Sequence, residues 1–309
     1  MKIFENVSRL ILVAFFLFAG FSWAETKAKY SVIITVDGLR PDAISKAYVP
    51  NIKSLIENGS YSLEAQTIIP SRTLPAHTSL ITGLVPERHG KKSNFWIPLF
   101  MNYLSADTIF SITKENDLSN ALFTGKDDLK YLAKPKSVDH FESTSRAPTS
   151  VKDIVSRFTQ YLKTRKPELA LIHFPEPDMT GHREGWMSED YIEALEGVDW
   201  AVGAILESLR KSGIYDEAFI VITADHGGHG TDHGSTDRDD MTIPWIAFGK
   251  GVKKGYTIKK RIYIYDTAPT VLFALGIEPP QTWDGKTVGE IFLDILDDKS
   301  QIRSQNSKK

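Results

Sequence analysis

Residues 219–233 read Phe219-Ile220-Val221-Ile222-Thr223-Ala224-Asp225-His226-Gly227-Gly228-His229-Gly230-Thr231-Asp232-His233. The first six form a short apolar run, the pattern of a strand buried on both faces. Asp225 and His226 follow at its carboxyl end, where open α/β sheets build their sites. Three imidazoles and two carboxylates within 225–233 are costly to hold together without a cation. Their nitrogen and oxygen donors suit zinc and related divalent ions. A glycine-rich surface loop that merely contains histidines is the plain alternative, and the rest of the chain decides between them.

Outward from this stretch, apolar strands alternate with amphipathic helices, which predicts an α/β fold: a mostly parallel central sheet with helices on both faces. Strands are expected at 31–36, 61–69, 121–124, 169–174, 219–224 and 242–248. Helices are expected at 50–58, from about 73, and at 108–115, 151–164, 188–209 and 266–275, with Asp266 capping the last one. No repeat or low-complexity linker interrupts the pattern, so one domain is expected over 28–295. Residues 95–150 are the least regular. Their aromatics Phe95, Trp96, Phe100 and Tyr103 suit either a small lid over the site or ordinary connecting structure, and the polar tail 299–309 reads as disordered.

With 37 basic and 39 acidic residues, the chain shows no basic stripe of the kind that binds nucleic acid. Residues 1–24 place Lys2 and Arg9 before an apolar run and end in Ser22-Trp23-Ala24, as in a cleavable secretory signal. That run is short of the roughly 20 residues of a spanning helix, so no stable membrane anchor is expected. The absence of cysteine excludes disulfides and a lipoprotein acceptor thiol. An exported protein, periplasmic or secreted, is the reading.

Two further strands end in candidate ligands. The strand 31–36 runs into Asp37-Gly38, where the carboxylate serves either a cation or a helix N-terminus. The strand 169–174 runs into Pro175-Glu176-Pro177-Asp178-Met179-Thr180-Gly181-His182. A single turn can aim Asp178 and His182, four apart, at one ion, and a solvated acidic turn is the alternative. Asp37, Asp178, His182, Asp225, His226 and His233 exceed what one tetrahedral zinc takes, so two divalent ions are implied, as in two-metal phosphoryl chemistry. Pro70-Ser71-Arg72-Thr73-Leu74-Pro75-Ala76-His77 offers hydroxyls at a helix start, where the positive end of the helix favours a developing alkoxide. Thr73 can equally be read as a cap.

These segments together resemble the alkaline phosphatase superfamily, and within it the nucleotide pyrophosphatase/phosphodiesterase branch in a compact bacterial-type form. The resemblance rests on Val36-Asp37-Gly38, Thr73-Leu74-Pro75-Ala76-His77, Thr82-Gly83-Leu84-Val85-Pro86-Glu87-Arg88-His89-Gly90, Pro177-Asp178 with Gly181-His182, and Asp225-His226-Gly227 with His233-Gly234. It implies one zinc held by Asp178, His182 and His233, and a second held by Asp37, Asp225, His226 and the Thr73 oxygen. It further implies Thr73 as nucleophile, a phospho-enzyme formed and released in two in-line steps, and Asn94 stabilising a phosphoryl oxygen. The implied substrate is a small phosphate ester, a nucleotide or a headgroup diester.

The chain departs from the pattern in two places. His226 and His233 are only seven apart, where long relatives carry an insertion, and Leu74-Pro75-Ala76 replaces the usual Phe-Pro-Asn. His229 competes with His233 as third ligand; the Gly234-Ser235 context favours His233 and leaves His229 behind the ligands or facing solvent. His77 and His89 read as structural, His173 as core and His140 as surface. Phosphomonoesterase or phosphonate hydrolysis on the same platform is the nearest alternative, with Arg72 or Arg183 as a source of extra positive charge. A sulfatase would need a modifiable residue where Ile68 stands. A non-catalytic metal-binding relative is the alternative of another class.

Overall fold

The computed structural model describes residues 27–98, 100–145 and 151–293. Both the expected signal at 1–24 and the tail at 299–309 lie outside the described residues. The described elements run β1 (Tyr30–Val36), α1 (Pro41–Lys46), α2 (Pro50–Glu57), β2 (Ser60–Gln66), α3 (Thr73–Thr82), α4 (Pro86–His89), α5 (Ile109–Glu115), β3 (Asn120–Thr124), β4 (His140–Ser143), α6 (Val151–Leu162), β5 (Leu169–Phe174), α7 (Asp178–Glu184), α8 (Glu189–Lys211), β6 (Ala218–Thr223), α9 (Arg238–Met241), β7 (Thr242–Gly249), β8 (Tyr256–Thr257) and α10 (Thr267–Ala274). No described helix is long and apolar enough to cross a membrane.

One eight-stranded sheet orders these strands β4-β3-β5-β1-β6-β7-β2-β8. Every pairing is parallel except those of β7, which runs against β6 and β2. All six residues of β5 and of β6 are buried, so central strands without alternation form because both faces are covered. The order β5-β1-β6 makes the three strands that precede Asp178, Asp37 and Asp225 immediate neighbours, with their carboxyl ends together.

Helix packing is tied by polar contacts as well as by the core. Asp199, buried on α8, accepts the backbone N–H groups of Asn51 (3.2 Å) and Ile52 (2.7 Å) in the first turn of α2. It does for α2 what an N-cap side chain would, from a different helix.

The segment 95–150 contributes framework: α5, β3 and β4 all lie within it, β3 and β4 extending the sheet. Trp96 is buried against Tyr103 and Tyr131, while Phe95 and Phe100 are 65% and 84% exposed. Two sequence readings need correction. Asp266 sits at the N-terminus of α10 without capping it; its carboxylate instead accepts from the backbone of Tyr263 and Lys286, both at 2.8 Å. His140 is half-buried on the edge strand β4, stacked on Tyr161 with ring centroids 4.3 Å apart.

Candidate metal centre

Three strand ends and one helix start converge. After β1 comes Asp37, after β5 the helix α7 with Asp178 and His182, and after β6 the loop from Asp225 to His233. Asp178, His182 and His233 bring one donor atom each within 4.8 Å of one another, and Asp37, Asp225 and His226 form a second such group. In the first triad Asp178 Oδ1 lies 3.4 Å from His182 Nε2 and 3.6 Å from His233 Nε2. In the second, His226 Nε2 lies 3.4 Å from Asp37 Oδ1 and 3.3 Å from Asp225 Oδ2. The imidazoles of His226 and His233 stack with centroids 3.7 Å apart, so the loop 225–233 serves both triads.

Two observations fit these triads to cations. Asp37 Oδ1, Asp178 Oδ1 and Asp225 Oδ2 are buried oxygens with no hydrogen-bond partner, and they are the oxygens that point into the triads. Orphaned buried carboxylate oxygens are expensive unless an ion meets them. Each histidine also spends Nδ1 on a backbone carbonyl: His182 on Thr231 (2.9 Å), His226 on Gly227 (2.8 Å) and His233 on Ser71 (2.8 Å). A carbonyl can only accept, so Nδ1 carries the proton and Nε2 presents its lone pair inward.

The outer carboxylate oxygens are held. Asp37 Oδ2 accepts from His173 Nε2 (3.0 Å) and pairs with Lys126 Nζ (2.7 Å), and Asp178 Oδ2 accepts from the same Nζ at 2.6 Å. Asp225 Oδ1 accepts from the backbone of Gly38 (3.2 Å) and His226 (3.0 Å). Burial works against ionising Asp37, but Lys126 and His173 outweigh it and hold its pKa well below the ordinary value. Burial, and then repulsion from Asp37, pushes Asp225 well above it. His233 falls to about 4, first by burial and then by repulsion from His226, so its neutral, ligating form prevails at neutral pH.

Thr73 is the first residue of α3 and buried, with Oγ1 3.5 Å from His226 Nε2. Beside it, Asn94 Oδ1 accepts the Leu74 N–H (2.9 Å), which leaves the Asn94 amide hydrogens as donors at the helix start. His77 is buried behind Thr73. It donates from Nδ1 to the Thr73 carbonyl (2.8 Å) and meets Thr35 Oγ1 through Nε2 (3.0 Å). His89 bonds to Ser79 within the framework.

His229 belongs to neither triad. Its side chain is 46% exposed and its Nδ1 lies 2.7 Å from Asp240 Oδ1, which raises its pKa. Asp240 Oδ2 in turn accepts from the backbone and hydroxyl of Ser235, so His229 braces the loop that carries His233. Arg183 is exposed and pairs with Glu184, and Arg72 lies along Gly234.

Sequence reading passed over three residues. His173, read as core, is fully buried but holds Asp37, with Thr124 Oγ1 on its other nitrogen at 3.1 Å. Lys126 follows the carboxyl end of β3, the same kind of position that singled out Asp37, and that rule applied to Thr124-Gly125-Lys126 would have found it. Trp186 donates to the Gly38 carbonyl (3.0 Å) and packs edge-on to His182 and His233; nothing in its sequence context marks it.

The architecture is that of the alkaline phosphatase superfamily, with paired ligand triads and a helix-start hydroxyl at the carboxyl edge of the sheet. The sequence model of the type I phosphodiesterase / nucleotide pyrophosphatase family matches residues 31–242, more than half of the chain, and the chain belongs to that family. The family is metal-dependent, in keeping with the two triads. Ectonucleotide pyrophosphatase/phosphodiesterase family member 3 of Rattus norvegicus is 27% identical over 226 residues, covering 67% of this chain and 25% of the relative. A bis(5'-adenosyl)-triphosphatase of Xenopus laevis is 26% identical over 220 residues, covering 63% and 46%. This chain thus spans less than half the length of these relatives. Among solved structures, the murine ectonucleotide pyrophosphatase/phosphodiesterase 5, as an inactive variant with AMP, superposes with a TM-score of 0.72 at 15% identity, covering 86% of this chain and all of that one. A 2-O GAG sulfatase superposes at 0.71 and 16% identity, covering 85% and 73%. Both likenesses concern the fold.

Proposed function

We propose that this chain is a hydrolase of phosphodiester or phosphoanhydride bonds, acting through Thr73 at a centre of two divalent ions. One observation carries the reading: two triads with inward-facing, unpartnered carboxylate oxygens meet at the stacked rings of His226 and His233, and the hydroxyl of a buried threonine at a helix N-terminus lies 3.5 Å from His226 Nε2. Asp178, His182 and His233 would hold one ion, and Asp37, Asp225, His226 and the Thr73 oxygen the other. The mixed nitrogen and oxygen donors favour zinc. When bound, the ions would supply Lewis acidity to the phosphoryl oxygens and lower the pKa of the hydroxyl they touch.

The chain's own residues do the rest. The start of α3 favours negative charge on Thr73 Oγ1, and His77 fixes the Thr73 backbone through its carbonyl. The Asn94 amide is placed to donate to a phosphoryl oxygen as charge builds there. A small phosphate ester is the substrate class, a nucleotide or headgroup diester, in line with relatives named as phosphodiesterases. Ile68 supports a phosphoester rather than a sulfate ester, since its hydrocarbon side chain cannot be converted to the formylglycine of sulfatases. The leader-like residues 1–24 support an exported protein, periplasmic or secreted, which fractionation of expressing cells would test.

The test is turnover of bis-p-nitrophenyl phosphate by zinc-loaded protein, with Thr73→Ala expected to lose at least ~100-fold in kcat. Full activity in that variant would remove Thr73 as nucleophile. Metal analysis is expected to find two ions per chain, and chelation to abolish turnover. Phosphomonoester hydrolysis is the second reading, favoured by the cation Lys126 beside both triads. A larger kcat/KM for the p-nitrophenyl monoester would put it first.

A further inference from the structure

Lys126 is the one cation among the described residues that touches both triads. Its Nζ lies 2.7 Å from Asp37 Oδ2 and 2.6 Å from Asp178 Oδ2, so it takes the outer oxygen of one carboxylate from each and leaves the two Oδ1 atoms facing inward. The lysine is built in. Its backbone N–H donates to Thr124 Oγ1 (3.0 Å) and its carbonyl accepts from that hydroxyl (3.1 Å), while the same Oγ1 meets His173, which holds Asp37. An ammonium has three N–H donors, and the third finds no acceptor among the described residues. The side chain is 24% exposed, so the site does not seal it off.

Charge decides what this arrangement does. The triads contribute three carboxylates, and two divalent ions would leave the centre with one net positive charge; Lys126 makes it two. A phosphodiester is a monoanion, whereas the phosphate group of a monoester, or the phosphate released as product, is largely a dianion at alkaline pH.

We infer that Lys126 is a fixed third cation of the centre, a positioning residue that ties the two triads together, lowers their affinity for metal and raises their affinity for dianionic phosphate. The inference rests on the two-metal reading and deepens it. Without Lys126, the carboxylates in the metal-free chain would lose their counter-charge, and bound ions would lose a repulsive neighbour. Both changes favour metal over the empty site.

The experiment compares the full chain with its Lys126→Met and Lys126→Arg variants, with Lys126→Gln as a second neutral variant in case the methionine does not fold. Zinc affinity is read by competition with a chromophoric chelator, without turnover, and inorganic phosphate is titrated as a competitive inhibitor. Neutral variants are expected to bind zinc roughly tenfold or more tightly and phosphate roughly tenfold or more weakly, with arginine restoring both. Their kcat/KM is expected to fall further for the monoester than for the diester. Unchanged or weaker zinc binding, or unchanged phosphate inhibition, in the neutral variants would overturn the inference. Fewer than two zinc ions in the unaltered protein would overturn it together with the two-metal reading, whereas two ions with unchanged affinity would sink the role of Lys126 alone.

Discussion

Gly38 and Asp178 meet so closely that a β-carbon on Gly38 would lie 2.9 Å from the Asp178 β-carbon, and Gly38 itself has φ +71°. The Asp178 N–H donates to the Asp37 carbonyl at 3.0 Å, so the backbone at 37–38 locks the ligands of one triad against those of the other. Gly38→Ala places a side chain in a left-handed conformation and against Asp178. It is expected to destabilise the protein by about 1–3 kcal/mol and to lower metal content at the Asp178 triad. Thermal unfolding with metal analysis checks both; full metal content at wild-type stability would show that Asp178 tolerates the displacement.

Trp186 is a wall for the same triad. β-Carbons at Gly181 and Gly228 would lie 2.7 and 2.2 Å from its indole, so two glycines let α7 and the 225–233 loop close on the ring. Trp186→Ala is expected to cost about 3–5 kcal/mol and to release the ion at Asp178, His182 and His233 before the other. Stepwise chelator titration measures this, and simultaneous loss of both ions would argue against it.

Asp199→Ala separates stability from chemistry. It leaves the Asn51 and Ile52 N–H groups without their acceptor at a packed helix start, for an expected loss of roughly 2–4 kcal/mol in denaturant unfolding. Turnover per folded molecule is expected to stay at the wild-type value below the unfolding transition.

His89 predicts a pH dependence of stability. Burial lowers its pKa to about 4, against 6.5 for an ordinary histidine, and its Nδ1 accepts the Lys91 N–H at 3.1 Å, which requires the neutral ring. With the folded pKa below the unfolded one, the unfolded chain binds the proton more tightly. The stabilisation is complete above pH 6.5 and lost as pH falls from 6.5 towards 4, on the order of 3 kcal/mol in all. Metal-free wild type and His89→Asn, unfolded at pH 7.5 and pH 4.5, are expected to differ in slope, with the variant losing less. Identical slopes would assign the acid sensitivity elsewhere.

Much of the fold was legible because the central strands are unbroken apolar runs. Residues 31–36, 169–174 and 219–224 announce themselves as buried strands, and the Asp that directly follows the first and the last of them, Asp37 and Asp225, is conspicuous at the border between hydrocarbon and polar loop, while Asp178 follows the middle run after Pro175-Glu176-Pro177. The edge strand β4 was not legible. Its four residues are all half-buried and include His140 and Glu142, so hydrophobic pattern gives no signal where one neighbour and open solvent define the environment. Asp266 looked like a cap because a short acidic residue before Thr267 usually is one; the backbone of Tyr263 and Lys286 offered its carboxylate two better-placed donors.

Taken by itself, the sequence determined the alternation of strands and helices, the chemical types that end each strand, and the family those segments define. These properties are local, because a run of six apolar residues or an Asp-His pair needs no distant partner to be read. Only the tertiary structure decided that β5, β1 and β6 lie side by side, that His233 and not His229 joins Asp178 and His182, and that Lys126 and His173 hold the outer oxygens of Asp37. Those outcomes depend on contacts between residues distant in the chain: His173 and Asp37 are 136 positions apart, and Gly38, just after β1, meets Asp225, just after β6, across 187. Strand order and the hydrogen bond each ring or ammonium finally makes are set by packing the whole sheet.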